Sequence, residues 1–527
     1  MSDHGQRSHA VAVGTEAGSS AAPLSELGRR RWRVLVIASI GIFMATLDSS
    51  IVAVGLPAVS ADLHLSFSEA LWVQTSYLLV VTVLLIPVAR WGEKRGLFLT
   101  YWLGNLLFGI FSIVVAFSWS GSMLIGSRVF QGIGGALVVT TGAAIVTSVF
   151  PAHERGRALG LNMMGSTLGQ TFGPPLGGLI VAHMGWPWIF LIKVPIAALT
   201  VIAGWDLLGA ERRDRAAAAA RQAETGVVTA ERKPGLLQGI DLQGSALLGG
   251  VLAALFVPLI FSPLWGWTSW RTIAPLAGFV VLAVVFVVVE SRTTDPILDL
   301  GLFRRSRVFT AANICSLLYM AASYGVTVFT AVFLQVVQGR SAQTTGLMLL
   351  IQPAVMSLVT PFAGRLSDRL GSQGLSSAGL VITAIGTIEL SLFSVSAPAP
   401  QVLLALATLG LGLAIFSAPN FSAIMGSVPR SQLGVASGMF TASRFFGMGV
   451  SIAILGAIAA SELGPEGGRV ILLGARASLT DAEAFVTGYR EAMYVGTGMA
   501  LLGALVALTR DKRPAADAPR PAATSGE

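Results

Sequence analysis

Arg128 lies inside Gly121 to Val149, a run of otherwise uncharged residues long enough to cross a bilayer. Roughly 20 apolar residues span the ~30 Å hydrocarbon core. A charge there costs about 2.5–3.5 kcal/mol on insertion scales, so it persists where it has a partner, a wet cavity or a moving ion to serve. The chain repeats the arrangement with Asp48, Lys193, Glu389 and Arg444, each inside its own apolar run. Five such charges point to a helical membrane protein and make transport the leading function class.

Composition supports this. Of 527 residues, 54% are hydrophobic and 12% charged, against about 25% charged in a soluble globular chain. The single cysteine, Cys315, excludes an internal disulfide framework and a cysteine-based metal cluster. The net charge of +8 is concentrated in loops on one side of the apolar runs. That placement fits anionic headgroups and argues against nucleic acid.

Residues 1–28 are polar and lack an apolar h-region, so they read as a disordered tail and not as a cleaved signal. Apolar runs follow at about 33–57, 70–89, 97–118, 121–149, 156–182, 186–208, 242–262, 272–290, 307–335, 345–363, 375–396, 400–426, 433–460 and 488–509, giving fourteen expected spans. Basic residues crowd the polar segments before the first run and after each even-numbered one, for example Arg29 to Arg31, Arg90, Lys94, Arg155, Arg212, Arg304 and Arg365. By the positive-inside rule those segments, and both termini, are expected in the cytoplasm. A cytoplasmic linker is expected at 209–241 and an outer loop at 461–487, with a second tail at 510–527.

An internal repeat is visible. Ala89-Arg-Trp-Gly-Glu-Lys-Arg-Gly96 matches Gly364-Arg-Leu-Ser-Asp-Arg-Leu-Gly371 at an offset of 275 residues. Pro151, Gly156, Ala158, Gly160 and Gly169 recur as Pro429, Gly434, Ala436, Gly438 and Gly447, offset by 278. Two homologous six-helix units follow, at 29–208 and 307–509, with two inserted helices at 242–306. Such a design places substrate near the membrane midplane, between halves that rock.

Four motifs then give the chain a family likeness: Leu47-Asp-Ser-Ser-Ile-Val-Ala-Val-Gly-Leu-Pro57, the loop around Arg90, Glu93, Lys94 and Gly96, Arg128-Val-Phe-Gln-Gly-Ile-Gly-Gly135, and the glycine series Gly165, Gly169, Gly173, Gly177 and Gly178 with Pro174 and Pro175. With these the chain resembles the major facilitator superfamily, and within it the fourteen-helix drug:proton antiporters. The resemblance implies an all-α integral membrane protein of two six-helix bundles plus two inserted helices. It implies a conformational latch at Arg90, Glu93, Lys94 and Gly96, repeated at Arg365, Asp368 and Arg369. Lys193 stands where the family pattern W-R-W-I-F-x-I-N-V-P carries asparagine. Independently of the family, glycines four apart let another helix backbone approach closely, and the proline pair favours a kink.

At 1.5 Å per residue, Asp48, Arg128, Lys193 and Glu389 all fall in one slab toward the outer half. Asp48 reads either as a protonation site or as a structural ion pair with Arg128 or Lys193. Lys193 reads as an anchor for anionic substrate, as a counter-charge to Asp48, or as an incidental neutral or snorkelled lysine. Proton coupling is therefore assigned to Asp48, Arg128 and Glu389; Glu389 reads equally as a charge tolerated near the outer rim. Arg444 has a structural reading. The substrate cavity is assigned to Lys193, Gln131, Gln170, Tyr319 and Asn420, with Trp72, Tyr77, Phe172, Tyr324 and Phe416 as further aromatics.

The expected function is proton-coupled efflux of amphipathic compounds by alternating access. A dedicated exporter of one metabolite, antibiotic or lipid is the alternative, anionic if Lys193 contacts it. A non-transporting sensor or scaffold would need a folded soluble domain, and an enzyme would need a Ser/His, metal or phosphate-binding constellation. The chain shows neither, and no G-x-x-x-x-G-K-[ST] sequence for ATP. No metal or cofactor beyond a proton gradient is expected; the expected partners are a small-molecule substrate, protons and membrane lipid, acting on a monomer.

Overall fold

The computed structural model describes residues 26–151, 154–224, 242–293, 300–429, 432–463 and 479–510. Most of the expected tails, residues 225–241 of the expected linker and residues 464–478 of the expected outer loop lie outside them. Among the described residues fourteen long helices run in order: α1 Arg31–Asp62, α2 Phe67–Arg95, α3 Leu97–Ala116, α4 Gly121–Val149, α5 Arg155–Met184, α6 Lys193–Glu224, α7 Leu242–Trp265, α8 Trp270–Arg292, α9 Arg307–Val332, α10 Ile351–Leu370, α11 Ser372–Ser391, α12 Ala399–Gly426, α13 Leu433–Ser461 and α14 Leu479–Leu508. Five short helices accompany them, including the π-helical turn Phe333–Val337 and Ala342–Leu349 before α10. Thirteen spans are long and apolar enough to cross a membrane. The helix missing from that set is α5, whose glycines, with Asn162, Gln170 and His183, dilute its apolar content over 30 residues.

Local chemistry sets the helix ends. Ser66 and Glu69 form a capping box at the start of α2: the Ser66 N–H donates to the Glu69 carboxylate at 2.8 Å, and the Glu69 N–H donates to Ser66 Oγ at 3.3 Å. Gly96, at φ +125°, turns the chain sharply from α2 into α3, a conformation that favours glycine. Ser120 and Ser306 cap α4 and α9 by accepting the N–H groups of Met123 and Phe309.

The helices form two halves, α1–α6 and α9–α14. Within the first half α5 lies along α1. A methyl at Gly165 would sit 2.7 Å from the Ser39 carbonyl oxygen, and one at Gly169 would run into that of Phe43. The glycine series is thus what lets these two helices touch backbone to backbone. The same helix also meets the other half. A methyl at Gly178 would collide with the Ala342 carbonyl, and one at Gly346 with that of Pro174. This junction lies at the end of the bundle away from Glu26 and Arg510, the first and last described residues. Gly456 of α13 against Leu71 of α2, 2.8 Å from an added methyl, is a second junction there. Toward the other end α5 and α10 part: a methyl at Gly160 or Gly364 would have no atom within 4 Å.

The inserted helices have a place at the seam. The Ser68 hydroxyl of α2 donates to the Ile260 carbonyl of α7 at 3.0 Å, and Phe256 of α7 stacks on Phe446 of α13 with ring centroids 6.1 Å apart. α7 therefore covers the line where α2 and α13 meet. Outside it, α8 leaves Val280, Val281 and Val284 more than half exposed, a lipid-facing surface.

One boundary differs from expectation. The linker expected at 209–241 begins as helix, because α6 continues to Glu224. Its Glu-Arg-Arg-Asp-Arg run followed by alanines reads as a polar connection, yet these are strong helix formers. The extension grips its own half. The Glu211 carboxylate accepts the N–H groups of Phe98 and Leu99, each at 2.9 Å, at the start of α3. Asp214 likewise accepts those of Glu26 and Leu27 at 2.7 and 3.0 Å. Arg213 beside Glu26 holds that carboxyl below the usual carboxylate range.

Candidate functional site

Five elements of the first half converge on Asp48. One carboxylate oxygen accepts Arg128 Nη1 at 2.7 Å, and the other accepts Lys193 Nζ. All three side chains are fully buried. Burying such charges costs on the order of several kcal/mol per ion unless their remaining valences are met, and the surroundings meet most of them. Arg128 Nε donates to the Val73 carbonyl at 3.0 Å, and its Nη1 also donates to Gln131 Oε1 at 2.6 Å. Gln131 passes the chain on to Ser112 Oγ at 2.8 Å. The Arg128 guanidinium lies 4.5 Å from the Tyr77 ring, and the Lys193 ammonium 4.4 Å from that of Phe190, both within cation–π range. Arg128 Nη2 is buried without a hydrogen-bond partner.

The cluster touches the seam through one residue. The Ser49 carbonyl accepts Gln74 Nε2 at 2.8 Å and the Tyr324 hydroxyl at 3.0 Å, and Gln74 Nε2 also donates to Tyr324 Oη at 2.7 Å. Tyr324 belongs to α9, so this triangle joins the halves one residue from Asp48.

Tyr324 and Ser49 also line a cavity between the halves, of ≈ 630 Å³ including its open mouth. Its walls come from α1, α5, α9, α10, α12 and the end of the short helix before α10. They present Ser49, Ser50, Gln170, Ser323, Thr327 and Gln352 as hydrogen-bonding groups among Tyr319, Met320, Val328, Met356 and Leu413. Not one lining residue is charged. Phe416 stacks behind Tyr319 with centroids 5.0 Å apart, and the Tyr319 hydroxyl is buried without a partner. A neutral, part-aromatic lining of this kind suits a small organic molecule.

Several expected residues lie elsewhere. Gln170 and Tyr319 are in the cavity wall, but Lys193 and Gln131 are locked into the ion cluster. Asn420 is buried in the second half, donating to Ser316 Oγ at 2.7 Å and accepting from Arg510. The anionic-substrate reading of Lys193 loses its ground, since Asp48 takes up its ammonium. Among the further aromatics, Tyr324 lines the cavity, Tyr77 lies under Arg128, Trp72 packs 6.1 Å from Phe261 of α7, and Phe172 is exposed.

Glu389 is not among the groups gathered around Asp48. α11 ends at Ser391, so Glu389 lies in the last turn, in the other half from Asp48. The run 375–396 had suggested a helix reaching past Ser391. At the first latch copy, Arg215 of the α6 extension donates to the carbonyls of Glu93 and Lys94, and a methyl at Gly96 would lie 2.6 Å from Glu211 Oε2. Arg90 is half-buried; Arg365 and Arg369 of the second copy are exposed, and the Asp368 side chain lies outside the described residues. Sequence reasoning missed Gln74 and Glu211. The one is a lone amide in the apolar run 70–89, the other an acid among arginines.

Comparison with known proteins agrees with this architecture. The profile of the Major Facilitator Superfamily matches residues 38–240 and 235–452. Riboflavin transporter RibZ of Clostridioides difficile is 30% identical over 435 residues, 82% of this chain and 90% of that protein. The Tetracenomycin C resistance and export protein of Streptomyces glaucescens is 31% identical over 85% of this chain and 79% of its own. Multidrug resistance protein Stp of Mycobacterium tuberculosis is 32% identical over 83% and 77%. Among solved structures, a bacterial homologue of the human lysosomal transporter Spinster superposes with a TM-score of 0.61 at 16% identity, covering 91% of this chain and 96% of that one. A D-xylose-proton symporter superposes equally well, at 15% identity, covering 91% and 97%. Two six-helix halves around a shared cavity, a profile match along most of the chain and relatives of nearly equal length make this chain a member of the major facilitator superfamily.

Proposed function

We propose that the chain is a proton-coupled exporter of amphipathic small molecules, working as a monomer by alternating access. The observation that carries the reading is the placement of Asp48: fully buried, shared by two cations, and one residue from the Ser49 carbonyl in the cavity wall. The relatives named for drug resistance and export support cargo of the drug class. With both termini in the cytoplasm, as the basic loops imply, the cavity here is closed toward the outside by the Gly178–Ala342 and Gly346–Pro174 junctions. Cargo enters from the inner side, the halves rock, and a proton bound from outside at the cluster favours release and return. Coupling requires only that the two states differ in proton affinity. Each chain holds a whole cavity, so one copy suffices.

A second reading keeps the mechanism and narrows the cargo to one planar aromatic metabolite. The Tyr319–Phe416 stack and the relative named as a riboflavin transporter favour it. Both readings are tested by export from proteoliposomes under an imposed pH gradient. Gradient-dependent export of several unrelated amphipathic dyes supports the broad reading, and export of one aromatic class alone supports the narrow one. Export that ignores the gradient would overturn coupling.

A further inference from the structure

The charges of the buried cluster do not balance. Asp48 supplies one carboxylate, and its two oxygens are taken by Arg128 and by Lys193. Two cations thus face one anion, with all three side chains at 0% exposure. The other groups facing them add no negative charge. From α2 come the Tyr77 ring and the neutral Gln74; from α3 the Phe108 ring; from the short helix Trp188–Leu191 before α6 the Phe190 ring; from α4 Gln131. Tyr324 of α9 reaches only the Ser49 carbonyl and Gln74. Among the described residues, no second carboxylate approaches.

A buried net charge is what a dry interior tolerates least, and here it is relieved most simply by losing a proton. The two cations differ in their ability to do so. A guanidinium stays charged in proteins, whereas a buried lysine ammonium releases its proton readily. Removing one proton from Lys193 leaves an amine, a carboxylate and a guanidinium, a set with no net charge. The amine still meets Asp48 Oδ1 through a remaining N–H, so the loss does not break the cluster.

We propose that Lys193, not Asp48 alone, carries the proton that this transporter exchanges, which rests on the proton-coupled reading above. The step is Lys193–NH3+ giving Lys193–NH2 and a proton passed to water once rocking of the halves opens the cluster, which is closed in this state, and it is reversed from the opposite side. The link to cargo is the Gln74–Tyr324–Ser49 triangle. Cavity occupancy acts on the Tyr324 hydroxyl, which pins the α1 backbone one residue from the carboxylate holding Lys193.

The chain has only four lysines, and Lys94, Lys233 and Lys512 lie outside the apolar runs. Labelling lysine Cε with carbon-13 therefore gives four resonances from the full-length protein in nanodiscs. Lys193 is identified as the one shielded from a water-soluble paramagnetic agent. Its signal is expected to move from the ammonium to the amine position across the pH range in which vesicles transport ethidium, the amine fraction rising on the order of tenfold per pH unit at first. In parallel, Lys193→Arg is expected to lose ethidium-coupled proton movement while retaining ethidium binding. A Lys193 resonance fixed at one position over that range, or full proton movement in Lys193→Arg, overturns the assignment and leaves the exporter reading standing. Wild-type vesicles that export ethidium without proton movement overturn both.

Discussion

The two halves share a repeat but handle charge differently. In α1–α6, Asp48, Arg128 and Lys193 form one hydrogen-bonded set closed off from solvent. In α9–α14, the charged groups stand apart. Arg444 packs its guanidinium 5.6 Å from the Phe440 ring, and its Nε is buried without a hydrogen-bond partner, as is Oε2 of Glu389. That half instead supplies Tyr319, Ser323, Tyr324, Thr327 and Gln352 to the cavity wall. The duplicated scaffolds thus differ: one holds a closed ion cluster, and the other supplies most of the uncharged cavity wall. The Ser49–Tyr324 hydrogen bond is where the two meet.

The hardest blow to this division is Asp48→Asn, which leaves two buried cations without an anion. Breaking one side of a buried pair costs about 3–5 kcal/mol, and pH-driven export is expected to fall at least ~100-fold, the equivalent of about 2.7 kcal/mol. Transport in proteoliposomes, beside size-exclusion profiles of the purified protein, separates lost coupling from lost folding. Next in size comes the junction between halves. Gly346→Val meets the Pro174 carbonyl, so closure at that end is expected to fail and turnover to drop roughly tenfold, or about 1.4 kcal/mol. Gly364→Val meets open space in this state and is expected to retain binding. Equal loss of binding in both variants would contradict the asymmetry between the two ends.

A smaller effect is expected in the cavity. Tyr319→Ala removes a ring stacked on Phe416, a contact worth about 0.5–1.5 kcal/mol, so affinity for a planar aromatic dye should weaken about 2- to 12-fold by equilibrium binding. The smallest concerns the second half's isolated acid. Glu389→Gln is expected to leave coupled proton movement within about twofold, because Glu389 stands apart from the Asp48 cluster and forms no ion pair among the described residues. A complete loss of coupling in this variant would move the electrostatic centre out of the first half.

The fold was legible because a bilayer imposes length and polarity on every span, and because basic residues and the Arg90/Arg365 repeat mark each helix end. The convergence of Asp48, Arg128 and Lys193 was legible in the same way, from their depth along three helices. Depth alone did not show which charges meet: Glu389 belongs to the other half, in the last turn of α11, which ends at Ser391 while the apolar run continues past it. It also says nothing about which way a side chain faces. Gln131 and Asn420 are polar residues in apolar helices, as Gln170 is, yet only Gln170 reaches the cavity. The α6 extension was hidden for a different reason. Its charges resemble a solvated linker until Glu211 is seen capping α3.

Substrate-induced proton release from the purified protein, read with a pH-sensitive dye in weak buffer, tests the central claim most directly. The account expects the wild type to release protons when an exported compound binds, and Asp48→Asn to release none while still binding it. Binding without release in the wild type, or equal release in Asp48→Asn, would contradict a buried cluster that trades hydrogen ions for cargo.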